Sequence, residues 1–316
     1  MKLYLAPIQG MTNAFYRNMY KELFGGIDVY YAPFISTSSV RRIGKSVFKD
    51  IMLENNRDDI EVVPQLLGNN GEDFKYYAEL ITQLGYREIN WNIGCPYATV
   101  ARKKKGSGIL PYADMVDKVL DEACKGDYDI TVKMRLGYED LDEGFEVMDV
   151  LNKYPLKGVM IHGRTGIQKY EGTVDLDAFE ALYKTCKHTM TYNGDIFTVD
   201  DFNRIQKRFP DIDQFMLGRG ALRDPFLPAA IKGHTISDDE KVKMIQHFHD
   251  SVFNDFKQIL SGDKHLCDKM KEFWTYLLVN TDPDGKLTKK LKKVRTEADY
   301  LQVVHQIFSQ DKVWHG

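Results

Sequence analysis

A cysteine at position 95 lies between Gly94 and Pro96 in the stretch NWNIGCP, at the end of a short apolar run. A thiol in a tight Gly–Pro loop can serve as an acid, a nucleophile or plain packing. Other residues able to do chemistry end similar runs. They are Pro7, Ile8 and Gln9; Gln65; Asn92; Lys133 and Arg135; His162 and Arg164; Asn193, Gly194 and Asp195; and Gly218 and Arg219. The last two groups read NGD and GRG, and such glycines let backbone N–H groups approach phosphate oxygens. Arg219 adds a charge-assisted contact. Lys133 interrupts an apolar run, TVKMR, and shares a strand face with Thr131 and Arg135. Burying an unpaired ammonium is costly, so this lysine points to function. It suits a Schiff base with a carbonyl substrate, or a positive charge beside an electron-rich cofactor ring. Cys124, Cys186 and Cys267 fall in helical or strand-flanking segments and read as packing.

The elements that must position these residues alternate. Eight β-rich runs begin near residues 2, 28, 62, 88, 130, 158, 190 and 214. Amphipathic helical patterns separate them, such as EDFKYYAELITQLG and YADMVDKVLDEACKG, each stopping at glycine. Strands alternating with helices imply parallel βαβ units. Eight such units predict an α/β fold of the (β/α)8 TIM-barrel kind, with function at the C-terminal strand ends. An open doubly wound sheet is the alternative. After DPFLPAAIKG the pattern turns wholly helical, and SDDE offers a capping box at Ser237 and Glu240. The expected domains are a barrel over 1–234 and a small C-terminal helical bundle over 235–316.

Composition narrows the field. The chain has 316 residues, 43% of them hydrophobic, and a net charge of −3. No apolar run is long enough to span a bilayer and no secretory pattern opens the chain, so a cytoplasmic protein is expected. The four cysteines show no CxxC spacing, which argues against a disulfide framework or a zinc site. No metal, no membrane contact and no obligate protein partner are expected. Against the weak net charge stand two basic runs, RKKK at 102–105 and KLTKKLKKVR at 286–295, the second preceded by Trp274 and Tyr276. Local charge of this kind suits phosphate contact.

The ordered set APIQGMT, NWNIGCP followed by GSGILP, VKMRLG, IHGRT, NGDI and LGRGAL resembles the tRNA-dihydrouridine synthases, flavin enzymes that reduce a uridine in tRNA. The resemblance runs from residue 3 to about residue 230 and reaches the helical tail through KMKEFWTYL. It implies FMN across the barrel mouth. Pro7, Ile8 and Gln9 would border the isoalloxazine ring, Gln65 and Lys133 would bond its polar edge, and His162 would lie near it. Asn193, Gly194, Asp195, Gly218 and Arg219 would hold the ribityl phosphate end. On the substrate side the resemblance implies Asn92 against the uracil, with Lys133, Arg135, His162 and Arg164 nearby and Cys95 as catalytic acid. NADPH or NADH would be the reductant and tRNA the partner. Position 90 departs from the family, which usually carries Asp where this chain has Asn90.

Saturating the C5–C6 bond of uracil takes a hydride at C6 and a proton at C5. A thiol of pKa about 8.5 is mostly protonated at neutral pH and can give that proton. Three other readings remain open. One is a flavin reductase of a small pyrimidine or enone. A second is an aldolase-like barrel using Lys133 as a Schiff base. The third is an RNA-binding protein on a decayed barrel.

Overall fold

The computed structural model describes residues 1–41, 43–310 and 312–315. Its strands are β1 (Lys2–Leu5), β2 (Val29–Tyr31), β3 (Ile35–Ser36), β4 (Glu61–Val63), β5 (Gln65–Leu67), β6 (Glu88–Ile93), β7 (Asp129–Arg135), β8 (Gly158–His162), β9 (Met190–Asn193) and β10 (Gln214–Leu217). They pair in the order β3-β5-β6-β7-β8-β9-β10-β1-β2-β4, every neighbour parallel.

These ten segments amount to eight barrel strands. β2 and β3 are one strand broken at 32–34, and β4 and β5 are one strand broken at Pro64, which has no N–H for a ladder. Hydrogen bonds bridge both breaks. The Ala32 N–H donates to the Val63 carbonyl at 2.9 Å, and the Asn90 N–H donates to the Pro64 carbonyl at 2.9 Å. β1 pairs with β10 on one side and β2 on the other, so the sheet closes on itself. The eight strands expected from the sequence are all present, and the open-sheet alternative falls.

Helices follow the strands: α1 (Ala14–Leu23), α2 (Gly71–Gln83), α3 (Ala98–Ala101), α4 (Ala113–Ala123), α5 (Asp142–Leu151), α6 (Leu176–Thr185), α7 (Val199–Arg208), α8 (Arg219–Arg223) and α9 (Leu227–Ile231). Asn13, Asn70 and Asp175 cap α1, α2 and α6 by accepting from the N–H of Tyr16, Asp73 and Ala178. Four helices complete the chain: α10 (Asp238–Ile259), α11 (Asp263–Thr281), α12 (Lys286–Leu291) and α13 (Glu297–Phe308). Ser237 and Glu240 form the expected capping box on α10.

Contacts group the chain into two compact units, a division other than 1–234 and 235–316. One comprises Met1–Gln9, Asp28–Asp195 and Gln206–Gly218, and holds every barrel strand. Its interior is layered. Tyr4, Ala6, Val29, Tyr31, Val63, Met160 and Met216 form an apolar plug. At the N-terminal end of the strands lies a cavity of about 170 Å³ lined by Glu61, Glu88, Thr131, Lys157 and Gln214 among others. The outer faces pack on helices: Trp91 meets Phe74 of α2 edge-on at 6.1 Å. The second unit comprises Gly10–Ile27, Ile196–Ile205 and Arg219–Gly316. Its core is aromatic, with Tyr16 of α1 against Phe248 of α10 at 5.0 Å. Trp274, named in the sequence as a neighbour of the basic run, lies in this core. Its indole N–H donates to the Tyr300 hydroxyl at 2.9 Å. No helix among the described residues is long and apolar enough to cross a membrane.

Candidate active site

Alternation along parallel strands sends every second side chain inward. On β6 these are Glu88, Asn90 and Asn92; on β7 they are Thr131, Lys133 and Arg135. Register sets Asn92 beside Lys133. The upper members of each series, with Gln65, His162 and Asn193, gather at the C-terminal strand ends, where barrels do their chemistry.

Cys95 stands just past β6 and is 8% exposed. Its loop is tied down from several sides. Asn92 Oδ1 accepts from the N–H of Gly94 at 3.0 Å and of Cys95 at 2.9 Å. The Cys95 carbonyl accepts from the Ser107 N–H at 2.9 Å and the Ser107 hydroxyl at 3.1 Å. Gly106, at φ +56°, lies so close that a Cβ there would stand 2.5 Å from the Cys95 carbonyl oxygen. The GSGILP stretch is therefore the wall of the cysteine loop. Burial pushes the Cys95 thiol up; the Tyr97 backbone and the positive Arg135 and Lys133 oppose this without reversing it.

Lys133 is half-buried, and its amine donates to Asn193 Oδ1 at 2.8 Å. Desolvation, with Arg135 nearby, lowers that amine to about 7. Asn193 in turn donates from Nδ2 to the Met216 carbonyl at 2.8 Å. Gln65 accepts from Asn92 Nδ2 at 2.8 Å and donates from Nε2 to Asn90 Oδ1 at 2.7 Å. His162 is buried, with its ring edge-on to Tyr170 at 6.3 Å.

The two arginines named from the sequence brace backbone. Arg135 donates to the carbonyls of Gly94 at 2.9 Å, Thr165 at 2.8 Å and Lys169 at 2.7 Å, and lies 5.4 Å from the Tyr170 ring. Arg164, 1% exposed, forms a two-pronged pair with Asp195. It also donates to the carbonyls of Glu171 at 3.1 Å and Gly172 at 2.6 Å. Pro7 and Ile8 follow β1 half-buried, and Gln9 is exposed. Gly218 lies close to them: a Cβ there would make ordinary contacts with Ala6 at 3.5 Å and Ile8 at 4.0 Å. Gly194 follows Asn193 directly. Arg219 opens α8, its guanidinium 5.5 Å from the Phe197 ring. The structure thus joins Cys95, Asn92, Gln65, Lys133, Arg135 and Asn193 through direct contacts and immediate register neighbours.

The sequence gives no role to Ser107 or Tyr170. Ser107 had a signal in the glycines that flank it; Tyr170 had none, being one exposed aromatic in a loop. The four cysteines are free thiols, and no cluster able to hold a metal ion occurs among the described residues.

A closed parallel barrel whose C-terminal mouth carries a lysine, several carboxamides and a protonated thiol is the scaffold of a barrel enzyme. The chain matches the family model described as dihydrouridine synthase over residues 4–312, and it belongs to that family. A tRNA-dihydrouridine(16) synthase of Neisseria meningitidis serogroup A is 26% identical over 324 residues, covering 98% of this chain and 95% of that protein. A probable tRNA-dihydrouridine synthase of Staphylococcus epidermidis is 28% identical over 237 residues, covering 70% and 69%. Among solved structures, morphinone reductase in complex with tetrahydroNAD is similar at a TM-score of 0.51 and 10% identity, covering 75% of this chain and 88% of that one. Histamine dehydrogenase from Rhizobium sp. 4-9 is similar at 0.54 and 12%, covering 73% of this chain but 45% of that one. These last two likenesses are of fold.

Proposed function

We propose that this chain is an FMN- and NAD(P)H-dependent reductase of the C5–C6 bond of a uridine in tRNA, with Cys95 as the acid. The observation that carries the reading is a buried thiol on a braced loop at the barrel mouth, with Lys133 and Arg135 nearby.

The donor set fits a flavin. Lys133 offers a cation and Gln65 a carboxamide, a complement to the polar edge of a heteroaromatic ring. Pro7, Ile8 and Gln9, which follow β1 at these strand ends, would border the ring. Asn193, Gly194 and Gly218 would bear the phosphate end, with Asp195 acting through its pair with Arg164. A flavin held there would supply the hydride for C6 of the uracil. Cys95 would give its proton to C5 of the uracil, and the thiolate left behind would gain from Arg135 and Lys133 before solvent returns the proton. Arg135 and Arg164, engaged with loop carbonyls and Asp195, would shape the uracil pocket, and Asn92 and His162 would contact the base.

A uridine in folded tRNA must leave its stack to reach this mouth, and the lysine-rich stretch over α12 would hold phosphates meanwhile. The experiment is a visible spectrum of the purified protein, reduced without oxygen and mixed with unmodified tRNA. Flavin absorbance that returns only with tRNA is the expected result. A flavin spectrum indifferent to tRNA favours a small-molecule reductase, and no flavin after reconstitution revives the Lys133 Schiff base. Cys95→Ala should keep the flavin and lose about 100-fold or more of tRNA reduction; unchanged turnover would remove Cys95 from the mechanism.

A further inference from the structure

Beneath the cysteine loop, polar side chains of three neighbouring strands join in one string. Glu88, Asn90 and Asn92 climb the inward face of β6, and Gln65 and Thr131 are the register partners of Asn90 on either side. At the lower end Glu88 pairs with Lys157 at 2.9 Å and accepts from the hydroxyls of Tyr31 at 3.1 Å and Thr131 at 3.0 Å. Thr131 Oγ1 accepts from Asn90 Nδ2 at 3.0 Å, and Asn90 Oδ1 accepts from Gln65 Nε2 at 2.7 Å. Gln65 Oε1 accepts from Asn92 Nδ2 at 2.8 Å. Asn92 Oδ1 receives the N–H groups of Gly94 and Cys95.

The sense of this string is fixed from both ends. An ionised carboxylate only accepts, and a backbone N–H only donates. Thr131 gives its single proton to Glu88, so toward Asn90 it must accept. Asn90 must then turn its nitrogen to Thr131 and its oxygen to Gln65, and the same logic passes through Gln65 to Asn92. Read downward from the Gly94 and Cys95 N–H groups, the requirement is identical.

We propose that Glu88, Thr131 and Asn90 are positioning residues for the cysteine loop: they hold the Gln65 and Asn92 amides in the orientation that anchors the Gly94 and Cys95 N–H groups, and so fix where the thiol stands. Its bearing on catalysis rests on Cys95 being the acid. Asn90 is the member that needs help. Its carboxamide offers Gln65 an acceptor in one orientation and a donor in the other, and the Thr131–Glu88 pair selects the first. A carboxylate at position 90 would accept from Gln65 either way and need no selector.

This asymmetry gives a test that requires neither flavin nor tRNA. The rate of Cys95 alkylation by iodoacetamide is followed by mass spectrometry of its peptide, with Cys124 and Cys186 as internal references. Thr131→Val removes the selector, and Cys95 should react about tenfold faster while the references hold their wild-type rates, the size of one lost hydrogen bond. In Asn90→Asp/Thr131→Val the Cys95 rate should return to within about twofold of wild type. A wild-type rate in the single variant overturns the proposal. So does a double variant as reactive as the single, or acceleration of all three cysteines together. If the valine variant does not fold, Thr131→Ala poses the same comparisons. Wild-type protein that never reduces tRNA would sink the proposed function and leave this measurement standing.

Discussion

Cys95 is charged when deprotonated and Lys133 when protonated, so burial, which disfavours whichever form is charged, moves them in opposite directions. The thiol is raised and the amine lowered to about 7. Near neutrality the proton therefore stays on sulfur while the lysine is half charged. The lysine's sign can be worked through: its positive charge is present below about pH 7 and lost as pH rises past it. An electron-rich flavin edge gains from the charged form. FMN affinity, followed by quenching of flavin fluorescence, should therefore fall about tenfold from about pH 6 to about pH 8.5, the worth of one charge-assisted hydrogen bond. In Lys133→Met the affinity should be lower at the acid end, and the step between the two pH values should shrink to what the FMN phosphate alone contributes. A step of wild-type size in Lys133→Met would assign it to another group.

At the scale of elements, the loop after β8 depends on two arginines. Arg164 is fully enclosed, and Asp195, at the end of β9, is its charge partner. Removing that carboxylate leaves a buried guanidinium without its counter-charge, a change that costs about 3 kcal/mol or more. Asp195→Ala should lower the urea midpoint accordingly, whereas Asp127→Ala, whose carboxylate meets Arg87 on the open surface, should move it by about 0.5 kcal/mol or less. Equal shifts in the two variants would deny Arg164 its bracing role. These arginines also show where sequence reading stopped. Their place at strand ends marked them for function and the family resemblance set them near the substrate, whereas nothing in the sequence pointed to the partners of Arg135, the carbonyls of Gly94, Thr165 and Lys169. Every residue has a carbonyl, so no side-chain pattern announces such a bond. The strands were legible for the opposite reason. Parallel strands buried on both faces read as apolar runs, and a polar residue within one, such as Lys133 or Asn92, stands out. α12 falls inside the stretch that reads as wholly helical, but KLTKKL has too little apolar periodicity to set its bounds: of its six residues Leu291 alone is buried.

For the molecule as a whole, local pattern divides the chain into two domains in series, whereas contacts tie Gly10–Ile27 and Ile196–Ile205 to the chain after Arg219. That grouping arises from packing such as Tyr16 on Phe248 and Phe24 on Phe226, between residues far apart in the chain, and local pattern carries no trace of it. Charge is likewise a matter of placement. The net is −3, yet Lys289, Lys292 and Lys293 are exposed, while Lys286, Lys290 and Arg295 have Asp284, Gln306 and Asp268 as partners. All six are exposed, and the three without such a partner among the described residues, Lys289, Lys292 and Lys293, are those best able to meet phosphate. Each phosphate contact releases counterions, so binding weakens with salt along a line whose slope counts contacts. Replacing Lys289, Lys292 and Lys293 with glutamine should weaken tRNA binding at low salt and flatten the slope of log K against log salt by about 2 to 3. Replacing Lys118, Lys153 and Lys184, which lie on α4 and α6 and in the turn after α5 and pair with carboxylates, should leave that slope unchanged. Filter-binding titrations over a range of potassium chloride would measure both. Equal flattening by the two triple variants would mean that tRNA senses only total charge. No flattening by the first would remove the α12 stretch from the RNA-binding surface while leaving the chemistry at Cys95 untouched.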